Sequence, residues 1–231
     1  MKKLIRSKLD AYFAPFARKS DIDNLYAQLA ALIEIKGIIG PRMPIGPLRG
    51  WALSPDAIAT ILRDVIERNA PKVLEFGAGE STIVIGAALK NAGGGSLTTV
   101  EHDLGFADEI QARLSKNGLS DYVRLRTVSM CEYASFMGLQ KLKSYDLAEL
   151  ELDFDIAIVD GPIAGQFGAA TRAVPLDWCV TRLKSDSVIY LDDAARPGEM
   201  EVISRIKLAH EKVEAKFFRT EKGLCRFAAI S

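Results

Sequence analysis

The stretch Val73-Leu74-Glu75-Phe76-Gly77-Ala78-Gly79-Glu80-Ser81-Thr82 decides the fold. It reads as a buried strand ending near an acid, then a glycine turn, then the start of a helix. The next apolar strand, residues 97–100, is followed by Glu101. In a parallel sheet a carboxylate at that tip lies beside the glycine turn. Glycines allow close backbone approach, and a carboxylate there can accept hydrogen bonds from a ribose diol. The pair points to a nucleoside cofactor. A dinucleotide fingerprint needs a third glycine, and here Ser81-Thr82 stand in that region. Glu75 would repel a pyrophosphate and attract an ammonium. The run therefore suits an aminoacyl nucleoside better than a dinucleotide; the plain alternative is a tight βα turn of any α/β protein.

The rest of the chain reads outward from that turn. Ser54-Pro55 opens a helix through Ile58, Ile61, Leu62, Val65 and Ile66. Strands are expected at 72–76, 97–100, 123–128, 155–160 and 187–192, and helices at 81–91, 105–117, 169–183 and 199–210. The continuous apolar run Ile156-Ala157-Ile158-Val159 suits a parallel strand buried on both faces. Two closing strands, 213–219 and 224–230, are separated by Thr220-Glu221-Lys222-Gly223, so the last strand runs antiparallel.

Before residue 51 the pattern changes. Residues 1–20 interleave Lys2, Lys3, Arg6, Lys8, Arg18 and Lys19 with Leu4, Ile5, Leu9, Tyr12, Phe13 and Phe16. Such a helix docks on its own domain or a subunit, or lies on a membrane surface. A second helix, capped by Asp21, runs to about Ile35 with Leu25, Leu29, Leu32 and Ile33 on one face. A Gly/Pro linker at 37–47 separates a helical extension, 1–50, from a domain at 51–231.

Composition narrows the class. The chain has 231 residues, 48% of them apolar, and a formal net charge of zero. A nucleic-acid binder usually shows a basic excess, so none is expected as a partner. Cys131, Cys179 and Cys225 form no C-x-x-C pair, which points away from zinc and disulfide frameworks and towards a cytoplasmic protein. No apolar run is long enough for an integral membrane segment, and the charged start does not suit a signal peptide.

With five βα units and a terminal hairpin, residues 51–231 resemble the class I S-adenosylmethionine-dependent methyltransferases. The residues that carry the resemblance are Glu75–Thr82, Glu101, Asp160-Gly161-Pro162 and Asp192-Asp193. It implies a Rossmann-like doubly wound sheet, seven-stranded and mostly parallel with an antiparallel C-terminal hairpin, and S-adenosylmethionine as cofactor. By the resemblance Glu75, Gly77 and Gly79, with Ser81 and Thr82, surround the methionine part. Glu101 holds the ribose, and Met130 and Cys131 lie along the adenine.

Asp160 ends the fourth strand and Asp192-Asp193 the fifth, so three carboxylates converge at the cofactor crevice. Like charges so close repel unless a cation or protons offset them. The chain is similar in class to the catechol-type O-methyltransferases, which implies a divalent metal, Mg²⁺ above all, on Asp160, Asp192 and Asp193. It also implies catalytic roles for Asp160 and Asp192 on a small-molecule hydroxyl. The lysine that follows the fourth-strand aspartate in those enzymes is missing from Gly161-Pro162-Ile163-Ala164-Gly165. Without the metal, Asp160 would line the cofactor and Asp192-Asp193 would cap the next helix. Arg172 and Arg196 fall on the ligand side, as clamps for an anionic substrate group or as ion-pair partners of Asp192, Asp193 and Glu199. Trp51 faces the crevice from the linker, and His102 lies beside the adenosine or on the surface. The helices before residue 37 offer a homo-oligomer contact. Aminopropyl transfer, a non-catalytic nucleoside-binding or assembly module and an NAD enzyme are the alternatives.

Overall fold

A computed structural model describes residues 21–168 and 170–230. The basic amphipathic helix expected within 1–20 lies outside the described residues.

The elements in chain order are α1 (Asp21–Ile39), α2 (Pro55–Glu67), β1 (Lys72–Phe76), α3 (Glu80–Ala92), β2 (Ser96–Glu101), α4 (Leu104–Lys116), β3 (Val123–Thr127), β4 (Met130–Phe136) and β5 (Leu139–Tyr145). They continue as β6 (Ile156–Val159), α5 (Ala164–Phe167), α6 (Ala173–Val180), β7 (Val188–Asp192), α7 (Pro197–Ala209), β8 (Val213–Phe218) and β9 (Leu224–Ala229). The main sheet has seven strands in the order β3-β2-β1-β6-β7-β9-β8. β9 is antiparallel to both its neighbours; the other pairs are parallel. This is the Rossmann-like order expected from the sequence.

Period-2 alternation divides the core between the two sheet faces. Val73, Ile156, Ile158 and Tyr190 pack with Ile58, Ile61, Ile83 and Ile110 from the helices on one face. Leu74, Phe76, Ala157, Val159 and Ile189 pack with Leu176, Cys179, Val202 and Ile203 on the other. Ala31, Ile35 and Ile39 of α1 are buried in the first of these clusters, so the N-terminal helix shares the domain's core. It also runs four residues beyond the expected end at Ile35.

Three local expectations are corrected. The helix expected at 169–183 is the shorter α6, preceded by the single turn α5. Asp192-Asp193 do not cap α7: Arg196 takes the N-cap position and Pro197 the first turn. Between β3 and β6, where no further strand was expected, β4 and β5 form a separate hairpin. Its loop is Met137-Gly138, and both residues have positive φ (50° and 77°), as a type I′ turn requires. Methionine is an unusual first residue for that turn, which is why the signal was weak.

Candidate active site

The sheet reverses its order between β1 and β6, the place where ligands bind in open α/β folds. The turns after these strands touch there. Gly77 has φ 98°, and a Cβ on it would lie 2.9 Å from Gly161 N. No other residue fits that approach without moving the β6 turn. Above the contact opens a cavity of about 640 Å³, within the range of small-molecule sites. Gly77, Ala78, Gly79, Ser81, Glu101 and His102 line one end, and Asp160, Ile163, Gln166, Arg172, Asp193 and Arg196 the other. Trp51, 80% exposed, stands at the rim.

At the first end Glu75 departs from expectation. It is fully buried and does not line the cavity. Ser81 Oγ donates to Oε1 at 2.5 Å, and Thr82 Oγ1 and Thr99 Oγ1 donate to Oε2 at 2.6 and 2.8 Å. Thr99 is its cross-strand partner on β2. Burial raises the Glu75 pKa to about 6, against the pull of these three hydroxyls and with help from the Glu101 charge. Glu75 therefore braces the glycine turn from beneath and is not offered to a ligand ammonium. Thr82 is buried with it and its Oγ1 also accepts from Gly79 N at 2.9 Å.

Glu101 does reach the cavity. Its Oε2 accepts from Ala78 N at 2.9 Å, and its Oε1 from His102 N at 2.7 Å and Asp103 N at 2.9 Å. A carboxylate has about four acceptor positions. The three backbone donors leave one on Oε2, so the expected two-oxygen grip on a ribose narrows to one oxygen.

Met130 and Cys131 are not among the lining residues. Met130 packs against the core, and the Cys131 thiol faces Tyr145 O at 3.9 Å. The cross-strand partner of Met130 in the same hairpin supplies the lining residue instead. Tyr145 is buried between Phe76 and His102, with ring centroids 5.9 and 6.0 Å away. Burial and the charges of Glu101 and Asp160 raise its pKa well above the ordinary phenol value. Sequence reading missed Tyr145 because its position depends on the unrecognised hairpin.

At the second end the three aspartates converge as expected, with carboxylate oxygens within 4.8 Å of one another. Their charge is offset by side chains. Arg172 Nη2 lies 3.1 Å from Asp160 Oδ1, and its Nη1 2.9 Å from Asp193 Oδ2. Lys222 Nζ lies 2.8 Å from Asp192 Oδ2 and 3.3 Å from Asp193 Oδ1. Arg196 Nη1 lies 2.8 Å from Asp193 Oδ2. Arg172 is thus an internal ion-pair partner and not a free substrate clamp, whereas Arg196 is 45% exposed at the mouth. Asp192 is wholly buried behind Lys222 and does not line the cavity, so it does not meet a substrate. Asp193 has φ 56°, a left-handed conformation that aspartate tolerates better than most residues.

Burial, then the Asp192 charge, push the Asp160 pKa well above the usual carboxylate range, although Arg172 and Lys222 oppose the shift. Burial also raises Asp192 and Glu199. For Lys222 burial works against the charge, and Asp192, Asp160 and Asp193 together outweigh it, so its pKa is raised. Mg²⁺ takes oxygen ligands at about 2.0–2.1 Å in near-octahedral geometry. Asp160 Oδ1, Asp192 Oδ2 and both Asp193 oxygens already lie against Arg172, Lys222 or Arg196, so the residues as arranged do not fit a divalent metal.

The chain is similar to known proteins in family and fold. A family model described as "Methyltransferase domain" matches residues 74–194. An S-adenosylhomocysteine-bound methyltransferase from Podospora anserina is similar at 14% identity and TM-score 0.57, over 100% of this chain and 97% of that one. The O-methyltransferase TomG of Streptomyces achromogenes, involved in tomaymycin synthesis and solved with S-adenosylmethionine, has 17% identity and TM-score 0.54, over 97% and 96%. An O-methyltransferase from Bacillus cereus with S-adenosylhomocysteine has 18% identity and TM-score 0.53, over 96% and 97%. These structural likenesses show the fold. No curated protein sequence matches the chain.

Proposed function

Since the chain belongs to the methyltransferase-domain family and is an S-adenosylmethionine-dependent methyltransferase, we propose that its acceptor is a hydroxyl oxygen of a small molecule. The observation that carries this reading is Asp160: a carboxylate with a raised pKa, lining the cavity opposite the glycine turn. When bound, the cofactor supplies the methyl group for direct displacement. The chain's own part is to bind, orient and manage one proton. Gly77, Ala78 and Gly79 give the backbone surface against which the amino-acid part would lie, and Ser81 adds a hydroxyl. Glu101 Oε2 accepts from one ribose hydroxyl. His102, Phe106 and Ile110 line the adjoining wall. Asp160 takes the acceptor's hydroxyl proton, and its raised pKa makes it a stronger base than an ordinary carboxylate. Tyr145, buried in the cavity wall, keeps water from that side.

The same reading includes a homo-oligomer contact on the outer face of α1, supported by exposed Ile22, Tyr26 and Ile33. It includes a cytoplasmic location, supported by free Cys131, Cys179 and Cys225. No helix among the described residues is long and apolar enough to cross a membrane. Aminopropyl transfer to a polyamine is disfavoured, because the acids that would bind its amines are paired with Arg172 and Lys222.

Calorimetry with S-adenosylhomocysteine tests the cofactor half. Glu101→Ala should weaken binding by about 1.5–3 kcal/mol, roughly 10- to 100-fold. Glu101→Gln, which keeps the shape, should lose part of that. Equal affinity in wild type and Glu101→Ala removes the ribose role, and no binding by wild type removes the cofactor reading.

A further inference from the structure

We propose that Lys222, together with Arg172, holds the place that a divalent metal takes at such strand-end carboxylates, so that this protein works without one. Its bearing on catalysis rests on the methyltransferase reading above; its charge geometry does not.

All three carboxylates of the cluster are in contact with a cation of the chain. Asp160 faces Arg172; Asp192 faces Lys222; Asp193 faces Lys222, Arg172 and Arg196. Glu199 lies 3.9 Å from Arg172. With Glu199 included, four carboxylates stand against three cations, which leaves one negative charge when all are ionised. A doubly charged ion would overshoot that surplus. It would also sit against an ammonium and a guanidinium inside a buried, weakly screened site. A singly charged centre such as a sulfonium matches the surplus.

Lys222 is not free to swing aside. Its side chain is 15% exposed, and Nζ also donates to Ala52 O at 3.0 Å. The turn that carries it is fastened to the segment after β7: Ala194 N donates to Gly223 O at 3.0 Å and Ala195 N to Lys222 O at 3.2 Å. Glu221 N donates to Asp56 Oδ2 at 2.9 Å from the other side. Lys222 is therefore a positioning residue. Its ammonium fixes Asp192 and Asp193, Asp193 fixes Arg172, and Arg172 aims at Asp160, the carboxylate that faces the cavity.

The test is Mn²⁺ binding to chelator-treated, dialysed protein, followed by electron paramagnetic resonance, with S-adenosylhomocysteine calorimetry on the same samples. Wild type should take up no Mn²⁺ at micromolar concentrations and should bind S-adenosylhomocysteine equally with and without EDTA. Lys222→Met removes the ammonium and should bind Mn²⁺ at least tenfold more tightly than wild type, and Asp160→Asn added to it should abolish the gain. Lys222→Arg keeps the charge and should behave as wild type. A structural role alone would not create a metal site. Stoichiometric micromolar Mn²⁺ binding by wild type, lost in Asp160→Asn, overturns the proposal. So does a folded Lys222→Met with no gain. If Lys222→Met does not fold, Lys222→Gln carries the same comparison, and the wild-type titration decides in either case. Failure of S-adenosylhomocysteine to bind any variant would sink the cofactor reading while leaving the Mn²⁺ result to judge Lys222.

Discussion

The two ends of the cavity solve the same problem in different ways. At the β1–β2 end, Glu75 and Glu101 are buried acids held mainly by neutral donors: three hydroxyls for one, three backbone N–H groups for the other, with the His102 imidazole Nδ1 2.7 Å from Glu101 Oε1. At the β6–β7 end, Asp160, Asp192 and Asp193 are held by Arg172, Lys222 and Arg196. Neutral donors bring no charge of their own, so the first end keeps its acids' field for a ligand or gives it up to a proton. Cations cancel the field locally and tie distant segments together. The first arrangement makes a preformed cradle, and the second makes a braced wall. Removing a partner should therefore cost more at the second end, since a buried charge left alone is far more expensive than a buried acid left with fewer hydrogen bonds.

The largest effect is expected at Arg172. Arg172→Met strips Asp160 and Asp193 of a buried partner and should lower unfolding free energy by about 3–5 kcal/mol in urea at neutral pH. The deficit should shrink on acidification, because Asp160 and Glu199, whose pKa values are raised, take up protons and no longer need the guanidinium. A loss below 1 kcal/mol, or one that grows at low pH, would erase the contrast between the two ends.

Glu75 sharpens the comparison from the other side. Its folded pKa, about 6, lies above the ordinary 4.5. A raised acid pKa means the folded state binds more protons in that window, so its contribution is present below pH 4.5 and is lost as pH rises through about 6. The shift corresponds to about 2 kcal/mol. Glu75→Gln cannot titrate. Urea unfolding at several pH values should show wild type losing about 2 kcal/mol relative to this variant between mildly acidic and neutral pH. Parallel pH curves for the two proteins would mean that the hydroxyls offset burial completely.

The contrast also explains what was legible in the sequence. Partners of the first end are local: Ser81 and Thr82 follow Glu75 in the same turn, and Ala78, His102 and Asp103 sit beside Glu101 in sequence or across one strand pair. A motif carries such contacts, so the fold, the turn and Glu101 could be read directly. The direction of Glu75 was misjudged, because spacing does not say which side of a strand end a side chain takes, and Met130 and Cys131 were placed along the adenine because the hairpin that carries them was not recognised. At the second end the acids were legible as strand ends, with Arg172 and Arg196 as candidate ion-pair partners, but Lys222 was not. Lys222 comes from the β8–β9 turn and meets Asp192 because β9 runs antiparallel beside β7, in a register that pairs Asp192 with Leu224. The signal was the strand order: a closing strand inserted next to β7 brings its preceding turn to the carboxyl end of β7. Tyr145 was hidden for a similar reason, since a hairpin off the main sheet delivers it.

The smallest effect is expected where the second end's bracing reaches the surface. Arg49 Nε donates to Glu221 Oε2 at 2.8 Å, and Glu221 Oε1 also accepts from Asn24 Nδ2 at 3.3 Å, so the linker carrying Trp51 is tied to the turn carrying Lys222. Arg49 is 49% exposed, and pairs of this kind contribute about 0–1 kcal/mol. Arg49→Met should thus leave urea unfolding within about 1 kcal/mol of wild type. Its consequence should be local. Trp51 stands at the cavity rim while Trp178 is buried, so in a Trp178→Phe background the fluorescence reports Trp51. S-adenosylhomocysteine should shift that emission to the blue as it covers the ring. Arg49→Met should reduce the shift, because an untied linker spends less time over the cavity. An unchanged shift would mean that the Lys222 contact to Ala52 holds the linker alone, and that the surface ion pair adds nothing to the braced end.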